Sequence, residues 1–167
     1  TEVHILYAAI EPFSGTITIN GMDIGNPKGF QSKNAIEFSS IIANVDINSL
    51  TTDKIRVTKV ELKKPIIYYE LGINGDNIRK LLANVKSGGG SSSVPSASKK
   101  KVVIDDLHLI GGKAKITGDF FGAKAGHEFA LDDIHIRNIG EEKGGTSIEN
   151  ITGLVLQNII KDVGFSI

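Results

Sequence analysis

Val102-Val103-Ile104-Asp105-Asp106-Leu107-His108-Leu109 places apolar side chains at Val102, Ile104, Leu107 and Leu109, with two polar residues between the inner pair. Strict alternation marks a strand with one buried face, and the extra central residue reverses the phase unless a bulge absorbs it. The same spelling recurs at Ile17, Ile19, Met22 and Ile24, at Ile55, Val57, Val60 and Leu62, and at Phe129, Leu131, Ile134 and Ile136. A rival reading makes each copy two short strands joined by a tight turn, which Asn20-Gly21 suits. Thr58-Lys59, Asp105-Asp106 and Asp132-Asp133 lack the glycine such a turn favours, so these copies read as long kinked strands. Aligned bulges would curve the sheet around its apolar face into a trough.

Outward from these copies, Val3 to Ile10 is apolar enough for a strand, or for the outgoing end of a helix, with the strand preferred. Ala35 to Ile47 alternates with a slip near Ser39-Ser40 and forms a fifth long strand. Ile66 to Leu71, set off by Pro65, reads as the antiparallel neighbour of the second copy, and Lys113 to Thr117 as the partner that follows the Gly111-Gly112 turn. Asp76 caps a short helix carrying Ile78, Leu81, Leu82 and Val85 on one side. Thr146 and Glu149 form a capping box for a closing helix rich in apolar residues and ended by Gly164. The fold class expected is α+β: a long, curved, bulged antiparallel sheet, a short mid-chain helix and a packed C-terminal helix. One domain over 1–167 is expected, with similar halves, 1–86 and 99–167, joined by a flexible Gly/Ser tether, 87–98.

The 167 residues carry 19 basic and 19 acidic side chains, for a formal net charge of +0, which argues against nucleic acid or an anionic membrane surface as partner. Lys99-Lys100-Lys101 reads as a solvated strand entry. The absence of cysteine excludes disulfides, thiolate metal sites and cysteine nucleophiles. Gly88-Gly89-Gly90 lacks the lysine and the strand-to-helix setting of a phosphate loop. No nucleophile stands at recognisable spacing from a base, so the chain reads as a non-enzyme without cofactor.

Superposing the four copies puts Asp23, Glu61, His108 and His135 at one place, a ligand set for zinc or a similar ion if those strands lie adjacent and in register. Outward strand positions are polar by default, and the plainer reading is a solvated face. Asp105-Asp106 and Asp132-Asp133 point to opposite faces, and their short side chains suit bonding of backbone groups freed at bulges. One of Tyr68 and Tyr69 should face inward. His4 and His127 show no partner.

Gly15-Thr16, Asn26-Pro27-Lys28-Gly29-Phe30, Val45-Asp46, Ser49-Leu50, Val60-Glu61-Leu62, Pro65, Tyr69-Glu70 and the Asn77 to Leu82 helix start resemble the AsmA-like family. So do Gly112-Lys113, Leu131, Ile134, Asn138-Ile139-Gly140 and Gly144-Gly145-Thr146. The resemblance implies a periplasmic protein, anchored to the inner membrane by an upstream helix and active in lipid handling or outer-membrane biogenesis along a β-sheet groove. Membrane contact would then run through a segment outside this sequence. Acyl chains or phospholipid would lie against the inward residues Ile19, Met22, Val57, Val60, Ile104, Leu107, Leu131 and Ile134. The alternative is a sealed structural or adaptor domain, its trough filled by the closing helix, that pairs an open sheet edge with another envelope protein.

Overall fold

A computed structural model describes residues 1–87, 100–120 and 123–164. The chain forms β1 (Val3–Glu11), β2 (Thr16–Gly25), β3 (Asn34–Val45), β4 (Lys54–Lys63), β5 (Ile66–Gly72) and the two-residue β6 (Gly75–Asp76), then α1 (Asn77–Lys86). There follow β7 (Lys101–Ile110), β8 (Lys113–Phe120), β9 (Ala123–Ala130), β10 (Ile134–Ile139) and α2 (Ile148–Asp162). All the strands belong to one open sheet. The α+β class is as expected; the tether lies almost wholly outside the described residues.

The strands occupy six long tracks. β5 does not fold back on β4 but continues it: β3 pairs β4 through Ile41↔Leu62 and β5 through Ile36↔Ile67 in one unbroken register. β8 likewise continues β7, and β10 continues β9. The β4–β5 track runs parallel to the β7–β8 track, from Lys54↔Lys101 to Leu71↔Gly118, without a slip. The sheet is therefore mixed rather than antiparallel throughout. Parallel neighbours need a crossover, and α1 with the residues after it supplies one. The fourth copy is broken after Ala130 into β9 and β10, which pair with β8 and β7 respectively.

A single row explains these breaks. Leu6, Gly21, Ser39, Lys64, Gly111 and Asp132 fall where the cross-strand pairing lapses on successive tracks. In that row Gly21, Lys64 and Gly111 adopt left-handed backbone, with φ of 65°, 47° and 66°. One left-handed residue resets the side-chain phase without reversing the strand, whereas a two-residue type I′ hairpin needs two. The ladder therefore crosses the crease: Lys64 N donates to the Ile110 carbonyl at 2.8 Å, Lys113 N to that of Pro65 at 2.8 Å, and Leu131 N to that of Gly112 at 2.9 Å. A second crease runs through Thr58, Asp105 and Asn138, the last with φ of 55°. It ends against β3 as a bulge, where Asn44↔Lys59 gives way to Val45↔Val57 and leaves Thr58 unpaired in that ladder. Because neighbouring tracks slip together, the apolar residues stay on one face.

That face carries complete cross-sheet rows, such as Ala8, Ile19, Ile41, Leu62, Leu109 and Ile134. β1 itself writes the recurring spelling at Val3, Ile5, Ala8 and Ile10, a copy hidden in the sequence by the apolar Leu6 and Tyr7 between. The helices pack on this face beside one another. Ile78, Leu81 and Leu82 of α1 and Ile151, Leu156, Ile159 and Ile160 of α2 share one core with Ile67, Tyr69, Ile104, Leu107 and Leu109. Leu82 packs over Gly153 of α2, where an added Cβ would meet it at an ordinary 3.6 Å. Asp76 caps α1 as expected, accepting from Arg79 N at 2.7 Å. The cap of α2 is Ser147, one residue later than Thr146, and it accepts from Asn150 N at 3.2 Å. Thr146 is instead held by a two-way backbone bridge to Val102.

The crease is testable through its backbone. Gly111→Val should cost about 1–2 kcal/mol, because a β-branched residue resists the left-handed region. Lys64→Gly should be neutral or stabilising by less than about 1 kcal/mol, since it relieves the same strain at the price of unfolded-chain entropy. Urea unfolding of both variants checks this.

Candidate functional site

Four of the inward residues named from sequence, Val57, Ile104, Leu107 and Leu131, are buried in the core shared with α1 and α2. An acyl chain has no access to them, because helical side chains already occupy that part of the trough. Val60, Ile134 and Met22 lie at the margin of the core, and Ile19 is half-buried. The row Ile10, Ile17, Ala43, Val60, Leu107 and Ile136 shows the gradient: Ile10 is 71% exposed, Ile17, Ala43 and Val60 are half-buried, and Leu107 is 2% exposed. The helices thus leave the apolar face of β1 and β2 uncovered. Val3, Ile5 and Ile10 are exposed there, as is Phe13 in the following turn, while Leu6 at the crease and Tyr7 in an outward row are exposed on the same strand.

On the opposite face, the polar row Thr18, Ile42, Glu61, His108 and His135 crosses β2, β3, β4, β7 and β10. His108 and His135 are direct partners, their rings stacked at 4.0 Å. Glu61 sits beside His108 but is engaged by Lys59 at 2.5 Å and Lys63 at 3.2 Å, hydrogen bonds that hold its carboxyl below the usual range. Asp23 stands in another row and accepts a contact from His4 Nδ1 at 3.0 Å, so His4 does have a partner. It was misplaced because the slip of the first copy lies on the first crease, while those of the second and third copies lie on the second. In its stead Asp106, two residues before His108 and on the same face, reaches His135 Nε2 at 2.7 Å. That hydrogen bond keeps the Asp106 carboxyl below its ordinary range. The Asp-x-His spacing on an alternating strand is the signal that would have found it.

The acid pairs behave differently from each other. Asp133 accepts from the Gly111 amide at 2.9 Å, as a backbone group freed at a crease requires. Asp105 instead pairs with Arg56, at 2.8 Å and 3.0 Å. Arg56 titrates higher for the same hydrogen bond. Tyr69 is inward and fully buried, while Tyr68 donates to Glu37 at 3.0 Å.

A cleft of about 1020 Å³ opens between the first turns of α2, the segment from Arg137 to Lys143 and the end of α1. Its charges are mixed, with Lys86, Arg137 and Lys143 against Glu141, Glu142 and Glu149. Its Ser147 hydroxyl serves as the helix cap.

A buried polar set holds the Asn26-Pro27-Lys28-Gly29-Phe30 loop. Glu70 accepts from Gln31 N at 2.6 Å and Ser32 N at 2.9 Å. Asn77, wholly buried, accepts from Glu70 N at 2.9 Å and donates to the Tyr68 carbonyl at 2.6 Å and to Asn26 Oδ1 at 2.8 Å. Every strong partner here is backbone or amide, which marks an anchor rather than a reactive centre. Among the described residues, no helix is long and apolar enough to cross a membrane. The chain matches no protein-family model and no curated protein.

Asn77→Ala would leave the Glu70 amide and Tyr68 carbonyl without their partner, and should cost about 2–3 kcal/mol in a urea titration. Burial first, and the neighbouring Asp76 carboxylate second, push the Tyr69 hydroxyl above the ordinary phenol range. The unfolded phenol ionises at about pH 10, so the contribution of Tyr69 is intact below that pH and declines as pH rises further. Tyr69→Phe should therefore lose less of its remaining stability than wild type between neutral and strongly alkaline pH.

Proposed function

We propose that this protein is a non-enzymatic cell-envelope module that holds acyl chains of lipids on the uncovered apolar shelf of β1 and β2. The single observation behind this reading is the exposure gradient along the inward rows, from open Ile10 through half-buried Ile17 to closed Leu107. A contiguous apolar surface of this kind, continuous with the core and left open, marks a binding site in a folded protein. Burying half a dozen methylenes there contributes about 5 kcal/mol at roughly 0.8 kcal/mol each, before the cost of ordering the chain. The AsmA-like resemblance gives this chemistry its setting: the periplasm, a lipid cargo and outer-membrane biogenesis. The shelf replaces the trough centre as the site, with Ile5, Ile10, Ile17, Ile19 and Met22 as its floor.

The test is native mass spectrometry and lipid extraction of the full chain, with a fluorescent fatty acid as probe. Wild type should retain lipid and bind the probe, and Ile10→Asp with Ile17→Asp should weaken probe binding at least about tenfold while folding is kept. Absence of both lipid and probe binding in wild type would end this reading.

A second reading has its own observation. β1 is a sheet edge exposed on both faces, with Leu6 at 86% and Tyr7 at 57%, and such an edge templates another strand. Here another envelope protein pairs its extended segment with β1. Leu6→Lys with Tyr7→Lys should then abolish association while leaving fatty-acid binding intact.

A further inference from the structure

We infer that Asp106, His108 and His135 form a surface site for one divalent transition-metal ion. Their ligand atoms all lie within 4.8 Å of one another. Asp106 and His108 alternate to the same side of β7, and β10 sets His135 directly opposite His108. The backbone of this arrangement is held, because β7 is laddered on both sides, to β4 and to β10. The side chains are not: those of His135 and Asp106 are 34% and 41% exposed. Donors about 2.0–2.2 Å from a metal stand roughly 3–4 Å apart, so closing the site takes rotation of the imidazoles out of their stack and no backbone shift.

Two imidazoles and one carboxylate select zinc, cobalt, nickel or copper over magnesium and calcium, which need mostly oxygen ligands. Three donors leave the remaining positions to water or to a ligand from another molecule. Without an ion, Arg137 shares the place: its Nε lies 3.6 Å from Asp106 Oδ1 and 3.4 Å from His135 Nε2. Its side chain is 71% exposed and can swing clear. The guanidinium therefore acts as a built-in competitor, and its removal should tighten metal binding. A merely solvated polar row makes no such demand.

Isothermal titration of the full, untagged chain with Zn²⁺, and the visible absorption of Co²⁺, test the site. One ion per chain should bind. His108→Ala, His135→Ala and Asp106→Asn should each weaken it at least about tenfold, Arg137→Gln should strengthen it, and excess Mg²⁺ or Ca²⁺ should not displace it. No saturable binding below millimolar Zn²⁺, or binding unaltered in the double histidine variant, overturns the assignment. His4→Ala serves as control and should change nothing, since His4 lies away on β1 beside Asp23. These outcomes are independent of the fatty-acid experiment, because the two sites lie on opposite faces of the sheet.

Discussion

The fold depends on one constraint: a strand can slip phase only if its neighbours slip with it or a bulge absorbs the difference, as at Thr58 against β3. A lone extra residue would turn every apolar side chain beyond it to the wrong face. Here Gly21, Lys64 and Gly111 sit in one transverse row, and Thr58, Asp105 and Asn138 in another. The inward rows consequently stay apolar on both sides of each crease. The recurring sequence spelling is the one-dimensional trace of that two-dimensional agreement. Its cost is local and visible in the left-handed backbone of Lys64 and Asn138.

The same constraint is satisfied by the in-register parallel pairing at the centre of the sheet. The β4–β5 and β7–β8 tracks carry the same two slips at the same separation, so they fit side by side in register. Both creases then align, as do Lys54↔Lys101 and Leu71↔Gly118 at the two ends. An antiparallel neighbour aligns two equally spaced slips as well, as β9–β10 does against β7–β8, and would need no long crossover. Parallel pairing demands one, and it brings α1 onto the apolar face, where α2 joins it. Covering the centre with two helices leaves the far side of the face open. The uncovered shelf is thus a consequence of the topology and not an independent feature.

Much of this was legible in the residues. Alternation gave the long strands and their single apolar face, and helical spacing with capping residues gave both helices and the α1 cap, because each rests on a local pattern. The direction of the chain after each slip was not legible. Lys64-Pro65 and Gly111-Gly112 look like hairpin turns, and only the backbone angle of one residue separates a reversal from a continuation. The β1 copy was masked by Leu6 and Tyr7, polar in no other copy's sense. Among the candidate ligands, His108 and His135 met because β7 and β10 are neighbours, yet they belong to strands running in opposite directions. Superposing copies in chain order could not foresee that geometry, and so it brought in Asp23 and passed over Asp106.

The two edges of the sheet differ in a way that links these observations. At β10 the outward residues are His135 and Arg137, tied to Asp106 and facing solvent. Charges of this kind discourage another strand from pairing. At β1 the opposite holds: apolar residues stand on both sides of the edge, and its polar ends, His4 and Glu11, are turned to their own neighbours, Asp23 and Ser14. A sequence under pressure only to remain soluble protects both edges. Protection at one edge and exposure at the other is the asymmetry on which the binding proposed at β1 rests. The metal site inferred above sits at the other edge, on the face of β10 that meets open water.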